Sequence, residues 1–297
     1  MAGRHPSTLG GASFRLGQRM SLAAASMAAA AFGVGDFLGG LAGRGADWRQ
    51  VVPVALGAGL LVLGLAASFQ SGFTAPLPMA WCLSAGAGYA VGVSLLYRAL
   101  SEGQMTEVAP ITAVVAIAVP AVVDILTGKA MTAHLVMGLA STGLSAALLA
   151  GPSGGWRKSI RNHSLVVIAI GAGLGLALFY IGLDRVDAAG DGAWGVLFVR
   201  ATAFVLTAAV ALRHPGKVLH PRSVGIAVGA GLFDGTANLL LMMAFATGRL
   251  AETSAVASLY PVATILLAVT VLRERPSRTQ GMGLLLVIPS IFLLKSS

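Results

Sequence analysis

The chain has 297 residues, of which 56% are hydrophobic and only 10% are charged. Soluble domains carry about 25% charged residues, so this composition excludes an ordinary soluble enzyme. It also excludes an intrinsically disordered chain, which combines low hydrophobicity with high net charge. A helix that crosses a bilayer needs about 20 mostly apolar residues, so the chain can hold about ten such helices joined by short loops.

The formal net charge of +9 does not indicate a nucleic-acid partner. Most lysines and arginines lie near the ends of apolar runs instead of forming one basic cluster. The single cysteine, Cys82, excludes an intrachain disulfide, and the five histidines lack the spacing of metal ligands. A phosphate-binding loop motif is also absent from the sequence. We therefore expect no metal, no other cofactor and no coupling to ATP within this chain.

Apolar runs bounded by charges and by proline or glycine predict ten transmembrane helices. The first run continues from Leu22 to Ala42, which is too long for a cleaved signal peptide, so we interpret it as a retained span. The ten predicted spans are residues 22–42, 51–69, 79–97, 108–126, 133–150, 165–183, 193–212, 224–247, 253–272 and 281–294.

A polar segment divides these spans five and five. We predict an N-terminal tail over 1–21, a first five-helix repeat over 22–150, a linker over 151–163 and a second five-helix repeat over 164–297. Because five is odd, the second repeat must cross the membrane in the opposite orientation. The predicted fold class is an all-α integral membrane protein with ten transmembrane helices in two inverted five-helix repeats, an architecture of many secondary transporters.

The two halves also match in sequence when residues 145 positions apart are compared. Gly103 and Glu107 match Gly248 and Glu252 at this offset. Each glutamate opens a predicted span, where a carboxylate stabilises the amino end of a helix. Asp124 lies near the end of the fourth span beside Lys129, so we expect it at the membrane interface.

Three charged residues lie at membrane depth, where ionisable groups are costly and are candidates for function. Asp36 lies in a glycine-rich stretch of the first span, and Asp234 lies near the middle of the eighth. Such a carboxylate could exchange a proton during transport, or it could simply join two helices by a hydrogen bond. Arg200 lies well inside the seventh span. It could bind an anionic substrate group, but we assign it to a structural ion pair with one of the aspartates.

Polar groups near Asp234 suggest a cavity between the repeats. Asn238 lies one helical turn beyond Asp234 on the same face, and Tyr89 is the counterpart of Asp234 in the first half. A carboxylate, an amide and a phenol suit a binding cavity, although Asp234 and Asn238 could also only hold two helices together. Tyr260 precedes Pro261, which lacks the N–H of a regular helix and indicates irregular backbone within the ninth span.

Several short motifs resemble those of the drug/metabolite transporter (DMT) superfamily, specifically its EamA-type ten-helix members. They are Ser-Leu-Tyr-Pro-Val at 258–262, Leu-Arg-Glu-Arg-Pro at 272–276, Gly-Met-Gly at 281–283, Arg200, and the glycine-rich run at 35–40. The first half departs from the family pattern, with Lys129 at the position paired with Glu274 and Val54 near an expected arginine. The resemblance implies secondary transport of small metabolites, often outward, through a cavity whose sixth span would contribute Phe179 and Tyr180.

We therefore predict a secondary transporter, not an enzyme, that exports a small metabolite by alternating access, with proton coupling as an open alternative. We expect it in the inner membrane of a bacterium, with lipid, a small-molecule substrate and, if coupled, protons as its partners. The alternatives are a membrane-embedded enzyme acting on a lipid-linked substrate, and a channel or structural membrane subunit. The predicted substrate or coupling-ion site comprises Asp36, Tyr89, Tyr180, Asp234, Asn238 and Tyr260.

Overall fold

The structure, a computed structural model, describes residues 8–70, 78–103, 105–128, 132–149, 163–187, 192–214, 219–246 and 248–295. These residues form eleven α-helices and contain no β-strand. Eight helical segments are long and apolar enough to cross a membrane, and two shorter apolar helices complete a set of ten. The predicted all-helical fold class is confirmed.

The helices follow the predicted spans closely. The first half contains α1 (Thr8–Arg44), α2 (Trp48–Ser68), α3 (Met79–Glu102), α4 (Met105–Leu126) and α5 (Ala133–Leu149). The second half contains α6 (His163–Asp187), α7 (Gly192–Arg213), α8 (Pro221–Phe245), α9 (Leu250–Ala257), α10 (Pro261–Val271) and α11 (Arg278–Lys295).

The predicted N-terminal tail is partly helical, and the predicted linker lies almost wholly outside the described residues. The sequence suggests a tail over 1–21, whereas α1 already begins at Thr8. Only Met20–Arg44 of this long helix has the length and composition of a membrane span. The predicted linker 151–163 lies outside the described residues except for His163, which opens α6.

The ninth span is two short helices rather than the single helix predicted over 253–272. A three-residue turn, 258–260, separates α9 from α10, and Pro261 opens α10. In this turn the N–H of Leu259 donates to the carbonyl of Val256 over 3.1 Å, a tighter pattern than that of an α-helix. The break follows from Pro261, which has no N–H to donate and whose ring crowds the preceding turn.

Contacts between helices relate the two halves by an approximate two-fold symmetry. Helix α1 packs mainly on α8, and α3 packs mainly on α6. Helices α1, α2 and α3 of the first half correspond to α6, α7 and α8 of the second. The contact of α2 with α8 therefore corresponds to the contact of α7 with α3, and the contacts of α2 with α7 and of α5 with α11 each join two equivalent helices. Exchanging each helix for its equivalent in the other half reproduces these main contacts. This is the pattern expected for inverted repeats.

Two glycines show the same symmetry at atomic detail. Gly231 of α8 lies against the carbonyl of Ala55 in α2, and Gly86 of α3 lies against the carbonyl of Val199 in α7. A methyl group at either glycine would overlap the facing oxygen. The two glycines are separated by the 145 residues that relate the two halves in sequence. The offset of 145 residues therefore relates equivalent helix crossings in the two halves.

Candidate functional site

Five of the six predicted site residues line one cavity between the halves. Asp36 comes from α1, Tyr89 from α3, Tyr180 from α6, Asp234 from α8, and Tyr260 from the turn between α9 and α10. The cavity has a volume of about 20 Å³, which is room for about one water molecule. The rest of its lining is apolar and consists of Phe32, Val93, Leu96, Leu176 and Phe179.

Asp234 is fully engaged by its neighbours. One carboxylate oxygen accepts a hydrogen bond from the Tyr89 hydroxyl, and the other forms an ion pair with Arg200. Asn238, the sixth predicted residue, lies beside the cavity, where its Nδ2 donates to the Asp234 backbone carbonyl over 2.7 Å and to the Tyr89 oxygen over 3.5 Å. The charge of Asp234 is therefore compensated by Arg200 within the described structure.

Arg200 of α7 is held by three other helices, α2, α3 and α8. Its side chain is buried, and its Nε donates to the Leu56 carbonyl of α2 over 3.4 Å. The guanidinium lies 5.1 Å from the centre of the Tyr89 ring, a favourable cation–π arrangement. Gly59 of α2 leaves room for the guanidinium, which a Cβ at this position would overlap. The residue equivalent to Arg200 in the first half is Ala55, so the ion pair has no symmetry mate.

Asp36 differs from Asp234 because it lacks a compensating partner. Its side chain lines the cavity, and the residue is only 6% exposed. Among the residues that the structure describes, none forms a hydrogen bond or an ion pair with its carboxyl group. A buried charge without a partner is very costly, so Asp36 requires either a bound proton or a cation.

Aromatic rings form much of the cavity wall. The ring centres of Tyr89 and Phe179 are 4.5 Å apart, and those of Phe179 and Tyr180 are 5.6 Å apart. The hydroxyl of Tyr260 donates to the Ala109 carbonyl of α4 over 3.2 Å. Because this bond turns the hydroxyl of Tyr260 toward α4, the tyrosine fixes the broken ninth span against the first half.

Asp124 lies near the end of α4, as the sequence indicates, and it is buried within the bundle. It is 0% exposed, and its Oδ2 accepts a 3.0 Å hydrogen bond from the N–H of Ala251, in the first turn of α9. Glu252 in the same turn is also buried, whereas the side chain of Glu107 and all of Lys129 lie outside the described residues. The contact of Asp124 with Ala251 has a physical reason: α9 is a separate helix, and its unpaired N–H groups need an acceptor.

Two further residues were not singled out by the sequence. Nothing in the sequence distinguishes Gly59 from the other glycines, because its role depends on the position of the Arg200 side chain in the fold. Tyr97 of α3 is buried with its ring against Gly39 of α1. The glycine run at 35–40 could have indicated a bulky neighbour, but not which one. In the described part of the chain, acidic, histidine and cysteine side chains form no group of three or more that could hold a metal ion.

The fold and the central cavity define a class, the helical membrane proteins built from two five-helix halves. The sequence model of the EamA-like transporter family matches residues 164–296, which contain α6 to α11 except for His163 and belong to the second half. This match confirms the resemblance to EamA-type members of the DMT superfamily. The chain is thus an integral membrane protein related to transporters.

A solved crystal structure is similar in fold along almost the full length of this chain. It superposes with a TM-score of 0.66 over 95% of this chain and 96% of the other, at 16% sequence identity. At this identity the similarity concerns the fold alone. No curated protein matches the sequence.

Proposed function

We propose that the protein is a secondary transporter that moves a small metabolite out of the cell by alternating access, with proton coupling at Asp36. The observation that carries the proposal is a cavity lined by both halves, in which one carboxyl group has no partner among the described residues. Inverted-repeat transporters place their substrate site between the repeats in this way.

Contacts at the two ends of the bundle support alternating access. At one end, Arg44 of α1 forms a 3.2 Å ion pair with Glu274. At the other end, the Ser21 hydroxyl of α1 donates to the Ala244 carbonyl of α8 over 2.8 Å, and Asp124 accepts from Ala251. Each contact joins the first half to the second. Opening the cavity to one side therefore requires the contacts at that end of the bundle to break while the contacts at the opposite end remain.

The test begins with the purified protein and a thermal-shift screen of small metabolites, because a ligand that binds only the folded state raises its stability. A metabolite that gives a shift is then loaded into proteoliposomes for counterflow. We expect saturable exchange of labelled metabolite, which a channel does not give. The proposal is overturned if no metabolite raises the stability and none shows counterflow.

Proton coupling is tested separately with an imposed pH gradient. We expect Asp36→Asn to abolish uptake driven by the gradient, since an amide cannot carry the proton. Asp234→Asn is examined beside it because Asp234 is the other carboxylate in the cavity. If both variants keep the wild-type rate of gradient-driven uptake, proton coupling is refuted, and counterflow alone decides whether the protein is a carrier.

A further inference from the structure

We infer that the break in the ninth span binds a sodium ion, through the hydroxyl oxygens of Ser254 and Ser258 and the backbone carbonyl oxygens of Ala255 and Ser258. The site goes beyond the proposed transport activity and does not involve Asp36. Four buried oxygen atoms without a partner among the described residues carry the inference. Two further observations support it: the helix end at which these oxygens lie, and the apolar residues at the equivalent positions of the first half.

Two serine hydroxyl groups at the break have no hydrogen-bond partner. Ser254 lies in the last turn of α9, Ser258 follows the end of this helix, and both residues are 0% exposed. Neither Oγ atom forms a hydrogen bond with a residue that the structure describes. Because the two serines are one helical turn apart, their side chains lie on the same face. Buried hydroxyl groups without a partner are costly, so this face of the break needs a ligand.

Two backbone carbonyl groups at the break also lack a donor. In a regular α-helix, the N–H groups of Leu259 and Val262 would donate to the carbonyls of Ala255 and Ser258. Each of them donates instead to the residue three positions before it. No other described residue donates to these two carbonyls. Ala255 is 0% exposed like the two serines, so the free carbonyls and the free hydroxyl groups lie together in a part of the fold that is closed to solvent.

The first half shows that the fold does not require these hydroxyl groups. At the offset of 145 residues, Ser254 and Ser258 correspond to Ala109 and Ala113 of α4. Both alanines are 0% exposed, and α4 continues past them as one helix. Pro261, which ends the break, corresponds to another alanine of α4. The break and the buried hydroxyl groups therefore occur together in the second half and are both missing from the equivalent part of the first.

The four oxygens suit a small monovalent cation. Hydroxyl and carbonyl oxygens are neutral ligands, and the carboxyl end of a helix adds a partial negative charge beside them. Membrane helices that are broken in this way coordinate sodium with unwound carbonyls and with the carboxyl ends of half-helices. Ser258 faces Tyr180, which lines the central cavity. The one water molecule for which that cavity has room can supply a fifth ligand.

Other ligands fit the break less well. An anion would meet carbonyl oxygens and the negative end of α9. Calcium ions in proteins are bound largely by carboxylate oxygens, and magnesium ions keep several of their waters, whereas the four oxygens here are uncharged and enclosed. Potassium is larger than sodium, so a closed site favours sodium. Water alone could bridge some of these groups, and the experiment below distinguishes this case.

Sodium binding is tested on the purified full-length protein in detergent. With radiolabelled sodium we expect saturable binding of one ion per chain, with only weak competition by potassium. Thermal unfolding in equal concentrations of sodium chloride, potassium chloride and N-methylglucamine chloride gives a second readout. Sodium should raise the Tm by at least about 2 °C above the other two salts, because a ligand that binds only the folded state stabilises it.

Ser254→Ala and Ser258→Ala distinguish a cation site from hydroxyl groups that merely lack partners. Both variants should bind sodium at least about tenfold more weakly and lose the rise in Tm that sodium causes. In potassium chloride both should be as stable as the wild type or more so, because alanine removes an unpaired buried oxygen. The matched control is Ser145→Ala, since Ser145 is buried in α5 and donates to the Gly283 carbonyl over 2.8 Å. This variant should be less stable in both salts and keep the full effect of sodium.

The inference is overturned if the wild type binds no sodium or gains the same stability from potassium, and water alone then fills the break. It is also overturned if both serine variants bind sodium as the wild type does. Counterflow separates these results from the proposed function. Counterflow of a metabolite by a protein that binds no sodium would establish a transporter and refute the sodium site. Sodium binding without counterflow of any metabolite would support the site and refute the transporter.

Discussion

Asp36 and Asp234 are the same type of residue and line the same cavity, but only Asp234 forms an ion pair with Arg200. The sequence indicates that Asp36 and Asp234 are charges at membrane depth and that Arg200 is a partner for either of them. It does not show which aspartate Arg200 pairs with, because that depends on which helix faces α7. In the folded chain Arg200 pairs with Asp234 and leaves Asp36 alone. Pairing across helices that are distant in sequence is set by tertiary packing, which local patterns do not encode.

The space beside Arg200 gives a prediction about a single methyl group. Gly59→Ala should destabilise the protein by about 1–3 kcal/mol, because the new methyl would displace the guanidinium from its place against α2. Gly64→Ala, one turn further on the same helix, is the matched control. Its methyl would meet no atom within 4 Å, so alanine should be neutral or stabilise the helix by about 0.5–1 kcal/mol.

The measurement is thermal or denaturant unfolding of both variants in the same detergent. Equal stability changes at the two positions would show that the guanidinium is not confined as described.

At the scale of elements, the number of spans was predictable from the sequence and the break in the ninth was only partly so. Hydropathy locates spans because the bilayer requires long apolar helices, and this requirement acts locally along the chain. Pro261 indicated irregular backbone, but whether proline bends a helix or ends it depends on its surroundings. Pro110 and Pro120 lie inside α4, which remains one helix. Only the fold reveals that α9 has its own amino end and that Asp124 reaches it.

Asp124 should therefore stabilise the amino end of α9, although it belongs to α4. Asp124→Ala removes the acceptor of the Ala251 N–H and should cost about 1–2 kcal/mol, while Asp124→Asn keeps an oxygen there and should cost less. Hydrogen exchange of α9 amides is the direct readout, and faster exchange in the alanine variant is expected. Exchange confined to α4, with α9 unchanged, would contradict the assigned role.

At the scale of the whole molecule, the inverted repeat was predictable because five helices per half fix the relative orientation of the halves. The match between residues 145 apart gave the register of the repeat, and Gly86 and Gly231 occupy equivalent crossings in the fold. The position of the cavity followed from the same symmetry. The sequence does not show which face of each helix points inward, since apolar residues cover both the lipid-facing and the buried surfaces.

Alternating access predicts that linking the halves at one end stops transport without preventing binding. Replacing both Arg44 and Glu274 by cysteine, in a Cys82→Ala background, allows a bifunctional reagent to join the two positions. We expect the cross-link to abolish counterflow and a reducible reagent to allow its recovery. The control applies the same reagent to Arg98 and Glu102, both replaced by cysteine within α3. Counterflow that persists in the cross-linked protein would refute the rocking of one half against the other.

The ion pair of Arg200 and Asp234 has a consequence for the resting state of the protein. If the two halves were identical, the two-fold axis would convert the form open to one side into the form open to the other, and both would have the same free energy. Ala55 stands where the first half would need a second arginine. In a transporter of the proposed kind, this asymmetric pair makes the two forms inequivalent. The empty protein then favours one form by a difference in free energy that substrate binding has to offset.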